Sequence, residues 1–332
     1  MTYTAGSLIE ATDYNGFVST TVGGNVNVIW STGSGDAGYG QTALSTVAVG
    51  GTVTATSWAS LVNTLANIGN HQGTAFTSRT APVAGNTISI LTNVGTNLSS
   101  FYTNRLNAAA SGTEYGIFSG TTSKTTATGS GTTAWTITFT HTVTWANAAA
   151  ARYFFNSGGL IKWQTGKSST GTEADDEWND LANTLVGDIF ISAGTGTQTI
   201  AAVSYTGTTK SGGTGTPTVL ATTTGFYDLN TSPVNIYRQF ADTAPYTGQY
   251  INMSAEVNDN ANPTVLTLTT QWIDPGGSGA GSTDQINGGT ATTSPSTTIT
   301  GTAPTTLVTY LPPSTTYLTA SWGTPTIAAS VS

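Results

Sequence analysis

Apolar residues recur at helical spacing in the first third of the chain and at alternate positions beyond it, and this switch of period predicts most of the architecture. In residues 57–68, Trp58, Leu61, Val62, Leu65 and Ile68 form a single stripe of the kind an amphipathic helix buries. Residues 9–18 align without gaps on residues 53–62, sharing Ala, Thr and Val and keeping aromatic or aliphatic side chains in register. Each copy predicts an extended entry, a threonine N-cap and a helix. A third helix is predicted over 88–110 from Leu91, Val94, Leu98, Phe101, Tyr102 and Leu106, with Gly95 weakening it.

From about residue 113 the period becomes two. Between Trp135 and Trp145 every odd position is aromatic, aliphatic or His, and every even position is Thr. That alternation predicts a long strand with one buried and one wet face, His141 lying on the buried side. Further strands are predicted at 152–155, 160–164, 188–192 and 199–205, with a helix at 174–185 and a Gly/Thr/Ser-rich loop or linker at 207–217. Ile251, Met253, Ala255 and Val257 alternate toward turn residues at 258–263, and Leu266, Leu268 and Trp272 alternate back, which predicts a hairpin. A Gly-dominated loop over 275–281 and short strands at 307–311 and 317–322 follow. The fold class expected is mainly β with short N-terminal helices. A helical, loop-rich assembly region is placed at 1–112, a first β domain with one helix at 113–222, and a C-terminal β-sandwich-like domain at 223–332.

Composition narrows the chemistry. The 332 residues include no cysteine, two histidines and only 7% charged side chains, which removes most catalytic and metal-ligating groups. Eight Trp, thirteen Tyr and ten Phe supply the core area that Thr and Gly cannot. The net charge is −8 and the eight Lys and Arg are scattered, so nucleic acid and anionic membrane surfaces are not expected partners. The first thirty residues lack the pattern of a signal peptide, and no stretch of eighteen apolar residues exists to insert into a membrane. Without cysteine, stability rests on packing and strand pairing.

Gly33-Ser-Gly-Asp-Ala-Gly38 matches GxGxxG, but a dinucleotide site needs a strand before it and a helix after it. Gly40 follows closely and is poor helix material, so the stretch is read as a loop. Gly166-Lys167-Ser168 lacks the glycine that a phosphate loop requires at position 161, which holds Ile. The acidic run Glu173, Asp175, Asp176, Glu177 and Asp180 fits a helix start favoured by the helix dipole, and no calcium loop accompanies it. His71 and His141 are the only imidazoles for a catalytic base; the first sits near a helix end and the second on a core face. Tyr227, Tyr237, Tyr246, Tyr250 and Tyr310 could stack on sugar rings if exposed, and otherwise serve as core or interface residues. No catalytic, cofactor-binding or metal residue is nominated, and no cofactor is expected.

Residues 33–42, Val53-Thr-Ala-Thr-Ser-Trp58, Asn70-His-Gln-Gly73 and Tyr153-Phe-Phe-Asn-Ser-Gly-Gly159 resemble virion structural proteins of tailed phages, especially those infecting cyanobacteria and other marine bacteria. The resemblance implies a non-enzymatic, tail-fibre-like or collar, neck or baseplate protein located in the virion. It implies partners among other virion proteins and further copies of the chain, with a homotrimer favoured from fibre habit. Two alternatives stand beside it. One is a receptor-binding adhesin recognising host surface glycan through the region from about residue 223. The other, weaker, is a glycan depolymerase, for which the sequence nominates no carboxylate pair.

Overall fold

The computed structural model describes residues 10–19, 25–83, 93–109, 122–123, 126–127, 135–169, 171, 173–244, 246–275, 297–298 and 304–332. Its organising element is the Thr-alternating strand β3 (Trp135–Thr144), which buries Ile137, Phe139, His141 and Val143. On one flank it pairs antiparallel with β12 (Val265–Asp274) over ten residues, from Trp135↔Asp274 to Thr144↔Val265. On the other it pairs with β15 (Thr326–Val331). Beyond β12 the sheet continues through β11 (Tyr250–Val257), β10 (Val234–Phe240) and β9 (Val219–Leu220). The predicted hairpin is therefore present as β11 and β12.

A second antiparallel sheet runs β1 (Thr122–Ser123), β14 (Thr305–Leu311), β4 (Leu160–Gly166), β5 (Asp188–Ile191) and β8 (Thr208–Ser211). The small pairs β2 (Thr126–Ala127) with β13 (Thr297–Thr298), and β6 (Gln198–Ile200) with β7 (Val203–Tyr205), lie outside both sheets. The mainly β class with short helices is as expected. The partition is not. Strands from either side of residue 222 are mixed within both sheets, so one shared pair of sheets replaces the separate β units placed at 113–222 and 223–332. Period-two alternation marks which face of a strand is buried and carries no record of its pairing partner.

The inner faces of the two sheets share one aromatic core. Trp163 of β4 and Thr270 of β12 are both fully buried, and the indole Nε1 donates to the threonine Oγ1 at 2.7 Å. Tyr237 lies 5.9 Å from Trp163, ring to ring, and donates its hydroxyl to the Val186 carbonyl at 3.2 Å. Trp178 stacks on Trp272 at 5.5 Å. At one side the sheets are stitched by the Thr208 amide donating to the Ala221 carbonyl at 3.1 Å. The outer face of the second sheet carries a satellite core of Leu160, Phe190, Ala108, Ile200 and Tyr205.

Helices cover the rest. In α1 (Ala11–Val18) and α3 (Ala55–Gln72) the first helical residues, Ala11 and Ala55, are equivalent positions of the sequence repeat. Their caps are Glu10 and Thr54, so a threonine cap holds only for the second copy, where Thr54 accepts from the Ser57 amide. The equivalent aromatics Tyr14 and Trp58 meet edge to face at 5.5 Å, so the two copies pack through their matching positions. α3 outruns the expected 57–68 and ends on Gly73 in the left-handed region, φ 67°. α2 (Val26–Trp30), which the sequence pattern did not indicate, joins this layer, and α4 (Val94–Thr103) is the described part of the helix expected over 88–110.

Several local expectations are corrected. Residues 152–155 belong to α5 (Ala148–Asn156), not to a strand, because four alanines and the Asn147 cap start a helix before the Phe pair. The 174–185 helix is α6 (Glu173–Asp180) running into a π-helical turn, Leu181–Leu185. Residues 207–217 form no linker, since β8 lies within them and glycines 207, 212 and 213 turn the chain with φ between 53° and 66°. Residues 317–322 contain no strand; the last strand is β15. The predicted strand at 199–205 is broken into β6 and β7 by Ala201 and Ala202, both at positive φ (50° and 65°). The expected loop at 275–281 lies outside the described residues after Pro275.

Two stability measurements follow. Thr270→Val keeps shape but orphans the buried Trp163 N–H, and should lower the urea-unfolding free energy by about 1–3 kcal/mol; an unchanged midpoint would mean the cross-sheet bond contributes nothing. Ala202→Gly relieves the left-handed alanine and should raise stability by about 1 kcal/mol, read as a higher thermal midpoint.

Candidate functional site

A set of polar side chains from distant parts of the chain surrounds the glycine loop. α2 precedes this loop and an extended segment follows it, so the strand and helix of a dinucleotide site are absent on either side. The loop folds back on its own base, with the Tyr39 amide donating to the Ile29 carbonyl at 2.9 Å and the Gly40 amide to the Ser31 carbonyl at 2.8 Å. Gly33 (φ 46°) and Gly38 (φ 98°) permit the crossing, because a Cβ on either would come within 2.3 Å of the Ala37 oxygen or 2.6 Å of the Thr32 oxygen.

α5 grips the loop from behind. Arg152 Nε donates to the Gly35 carbonyl at 3.0 Å, and Nη2 donates to the Thr32 and Ala37 carbonyls at 3.0 and 3.1 Å. Asn156 Nδ2 donates to the Gly38 carbonyl at 3.1 Å, and its Oδ1 accepts from the Tyr227 hydroxyl at 2.7 Å. At the front, Arg105 forms an ion pair with Asp36, and its guanidinium stands 4.6 Å from the centre of the Tyr102 ring. Tyr39 donates to the Arg105 carbonyl at 2.7 Å and accepts from Gln72 Nε2 at 2.7 Å. Burial raises the Tyr39 and Tyr227 hydroxyls above the ordinary tyrosine range, so both remain neutral hydrogen-bonding groups.

The front of the loop forms one wall of a cleft of about 440 Å³. The opposite wall comes from residues 194–197 and the turn before Leu229. Asp228 is fixed there, accepting from the Thr195 hydroxyl at 2.7 Å and the Gly225 amide at 3.0 Å. Asn107 lies at the third side, with Oδ1 accepting from the Thr199 amide at 2.9 Å. The sequence flagged the glycine loop but not Arg105, Asn107, Thr195 or Asp228. They are isolated polar residues in loops and, for Asp228, a short 3-10 turn, joined only when residues as distant as Asp36 and Asp228, 192 positions apart, converge.

The other candidates resolve into structure. Lys167 is buried, and its carbonyl accepts from the amides of Asn179 and Asn183, so the Gly166-Lys167-Ser168 turn is tied to the following helix. From the acidic run, Glu177 and Asp180 approach Asp242, with ligand atoms within 4.8 Å of one another. Glu177 accepts from the Asp242 and Thr243 amides at 3.3 and 3.4 Å, and burial raises its pKa. Tyr237 and Tyr310 are buried, while Tyr227, Tyr246 and Tyr250 are half-buried. Arg238 lies 5.1 Å from the Tyr250 ring centre.

No family model matches the chain, and searches of curated proteins and of solved structures find no similar protein.

Both imidazoles are sealed in the core, His71 at 2% exposure and His141 at 0%. Tyr39 meets His71 edge to face at 5.1 Å. Desolvation lowers both pKa values from 6.5 to about 4, against the smaller opposing effect of hydrogen bonds that the rings donate to the backbone of Ser157 and Thr306. The unfolded chain therefore takes up protons that the folded chain refuses, and stability falls as pH drops from 6.5 toward 4. At about pH 5 the loss should be roughly 2 kcal/mol per histidine relative to neutral pH. Chemical denaturation at about pH 7 and pH 5 measures it, and His141→Gln should remove about half of the dependence. A pH-independent midpoint for the parent chain would contradict the burial of both rings.

Proposed function

We propose that this chain is a non-enzymatic structural component of a tailed-phage virion, a fibre-like or collar, neck or baseplate protein that assembles with itself as a homotrimer and with other virion proteins. The observation that carries the reading is where the four stretches of resemblance go. The glycine loop, the α3 start with Trp58, the α3 end with His71 and Gln72, and the α5 end with Asn156 are scattered over 127 positions, from Gly33 to Gly159. In space the glycine loop, the α3 end and the α5 end meet around Tyr39: Gln72 donates to its hydroxyl, His71 packs on its ring, and Asn156 holds Gly38 beside it. Trp58 anchors the same helix onto α1. Stretches of resemblance that converge on one internal clamp support a scaffolding role, as the reading of a virion component requires.

Two further features support assembly. β15 is at the edge of its sheet and reads Thr-Ile-Ala-Ala-Ser-Val, with no charge or proline to discourage pairing with another chain. The polar work of the clamp is carried mostly by neutral groups, including Gln41, whose side-chain amide pairs with both backbone groups of Thr319 at 2.8 and 2.9 Å. Such contacts are insensitive to salt, which suits a particle exposed to changing media.

The test is direct. Mass spectrometry of phage particles purified by density gradient should detect the chain in fixed ratio to the major capsid protein, and light scattering of the isolated chain should give three times 33.8 kDa. Absence from purified particles would refute the virion role, and a folded monomer would refute self-assembly.

A further inference from the structure

The cleft between the glycine loop and residues 194–197 is not used by the clamp that supports it. Its lining is acceptor-rich: Asp36 and Asp228 bring two carboxylates, Thr103, Thr195 and Thr197 bring hydroxyls, and Asn107 keeps its amide Nδ2 as a donor after its oxygen is taken by Thr199. The one cation, Arg105, is already paired with Asp36. We propose that this cleft binds a neutral sugar residue.

Charge decides against the other small polar ligands. A phosphate or carboxylate would face two carboxylates and one guanidinium already satisfied by one of them. A metal ion needs several ligand atoms converging on a point; among the described residues the trio that converges is Glu177, Asp180 and Asp242, away from the cleft. A pyranose presents a ring of hydroxyl donors to match the acceptor-rich lining, and its hydroxyl oxygens can accept from Asn107 Nδ2. The volume of about 440 Å³ lies in the range of small-ligand sites and is open enough for one or two sugar rings.

Preorganisation strengthens the case. Asp228 is held by Thr195 and Gly225, Asp36 by Arg105, and the loop by Arg152 and Asn156, so little side-chain freedom is lost when a ligand arrives. Glycines 35, 194 and 196 line the cleft, where larger side chains would narrow it. This location also differs from the one expected for glycan recognition: only Tyr227 and Asp228 of the lining come from beyond residue 223. The inference is independent of the virion role and can fail while that role stands.

Saturation-transfer NMR on the full chain tests it, with glucose, galactose, mannose, N-acetylglucosamine and rhamnose as neutral probes and glucuronate as the anionic one. At least one neutral sugar should receive transfer, with weak, millimolar-range affinity, and glucuronate should receive much less. Gly196→Trp puts an indole on the cleft lining at a position where a Cβ meets nothing within 4 Å and φ is not left-handed. That variant should lose the transfer while keeping the parent's thermal midpoint. Asp228→Asn, which keeps the shape of the wall, should weaken it several-fold. Absence of transfer to every neutral probe, transfer undiminished in both variants, or equal transfer to glucuronate would overturn the proposal.

Discussion

The ten-residue ladder between β3 and β12 is the constraint on which the rest of the structure depends. It brings residues 135–144 against residues 265–274, and the rest of the larger sheet is built out from that pair. β15 closes on the free flank of β3, while β11 and β10 extend from β12. The second sheet is then held across the core by Trp163 on Thr270 and Tyr237 on Val186. A single register fixes which faces are inward, because a slip of one residue would send His141, Phe139 and Trp272 to solvent and bring the threonines in. The many threonines of β3 therefore serve two ends: they suit the pleat, and they make the wrong register costly.

Much of this was legible in the sequence, and the limits have physical causes. The alternation of 135–145 and the stripe on α3 reported burial directly, since periodicity is a local record of which face is covered. The repeat between residues 9–18 and 53–62 also carried real information, as Tyr14 against Trp58 shows. Pairing partners left no such record, so strands divided by residue 222 were read as separate units when they share both sheets. The Phe pair of α5 misled because Arg152 to Phe155 alone fits a strand; the four alanines that start the helix lie just upstream. Ala201 and Ala202 carry no turn signal, since only Gly, and at times Asn or Asp, visits the left-handed region routinely.

The site shows the same division. Gly33, Gly38 and Asp36 were visible as a motif, and the absent strand and helix correctly marked it as a loop. What the loop builds was invisible, because Arg105, Asn107, Thr195 and Asp228 are ordinary surface residues until the helical layer docks on the second sheet. The loop thus has two sides with different duties. Its back is consumed by Arg152 and Asn156, and its front is left as a rigid wall. The clamp takes the back of the loop, while the cleft takes Gly35 and Asp36 of its front together with Arg105, Asn107, Thr195 and Asp228.

The central claim is that both halves of the chain form one cooperative body around β3 and β12. Hydrogen exchange of the full chain, resolved by mass spectrometry of peptides, tests it most directly. The account predicts that peptides covering 135–144, 160–166, 250–257, 265–274 and 305–311 are the slowest to exchange and lose protection together as denaturant is raised. Loss of protection in 234–274 at a denaturant concentration where 160–211 remains protected would contradict it, and would restore two independent β units in place of one.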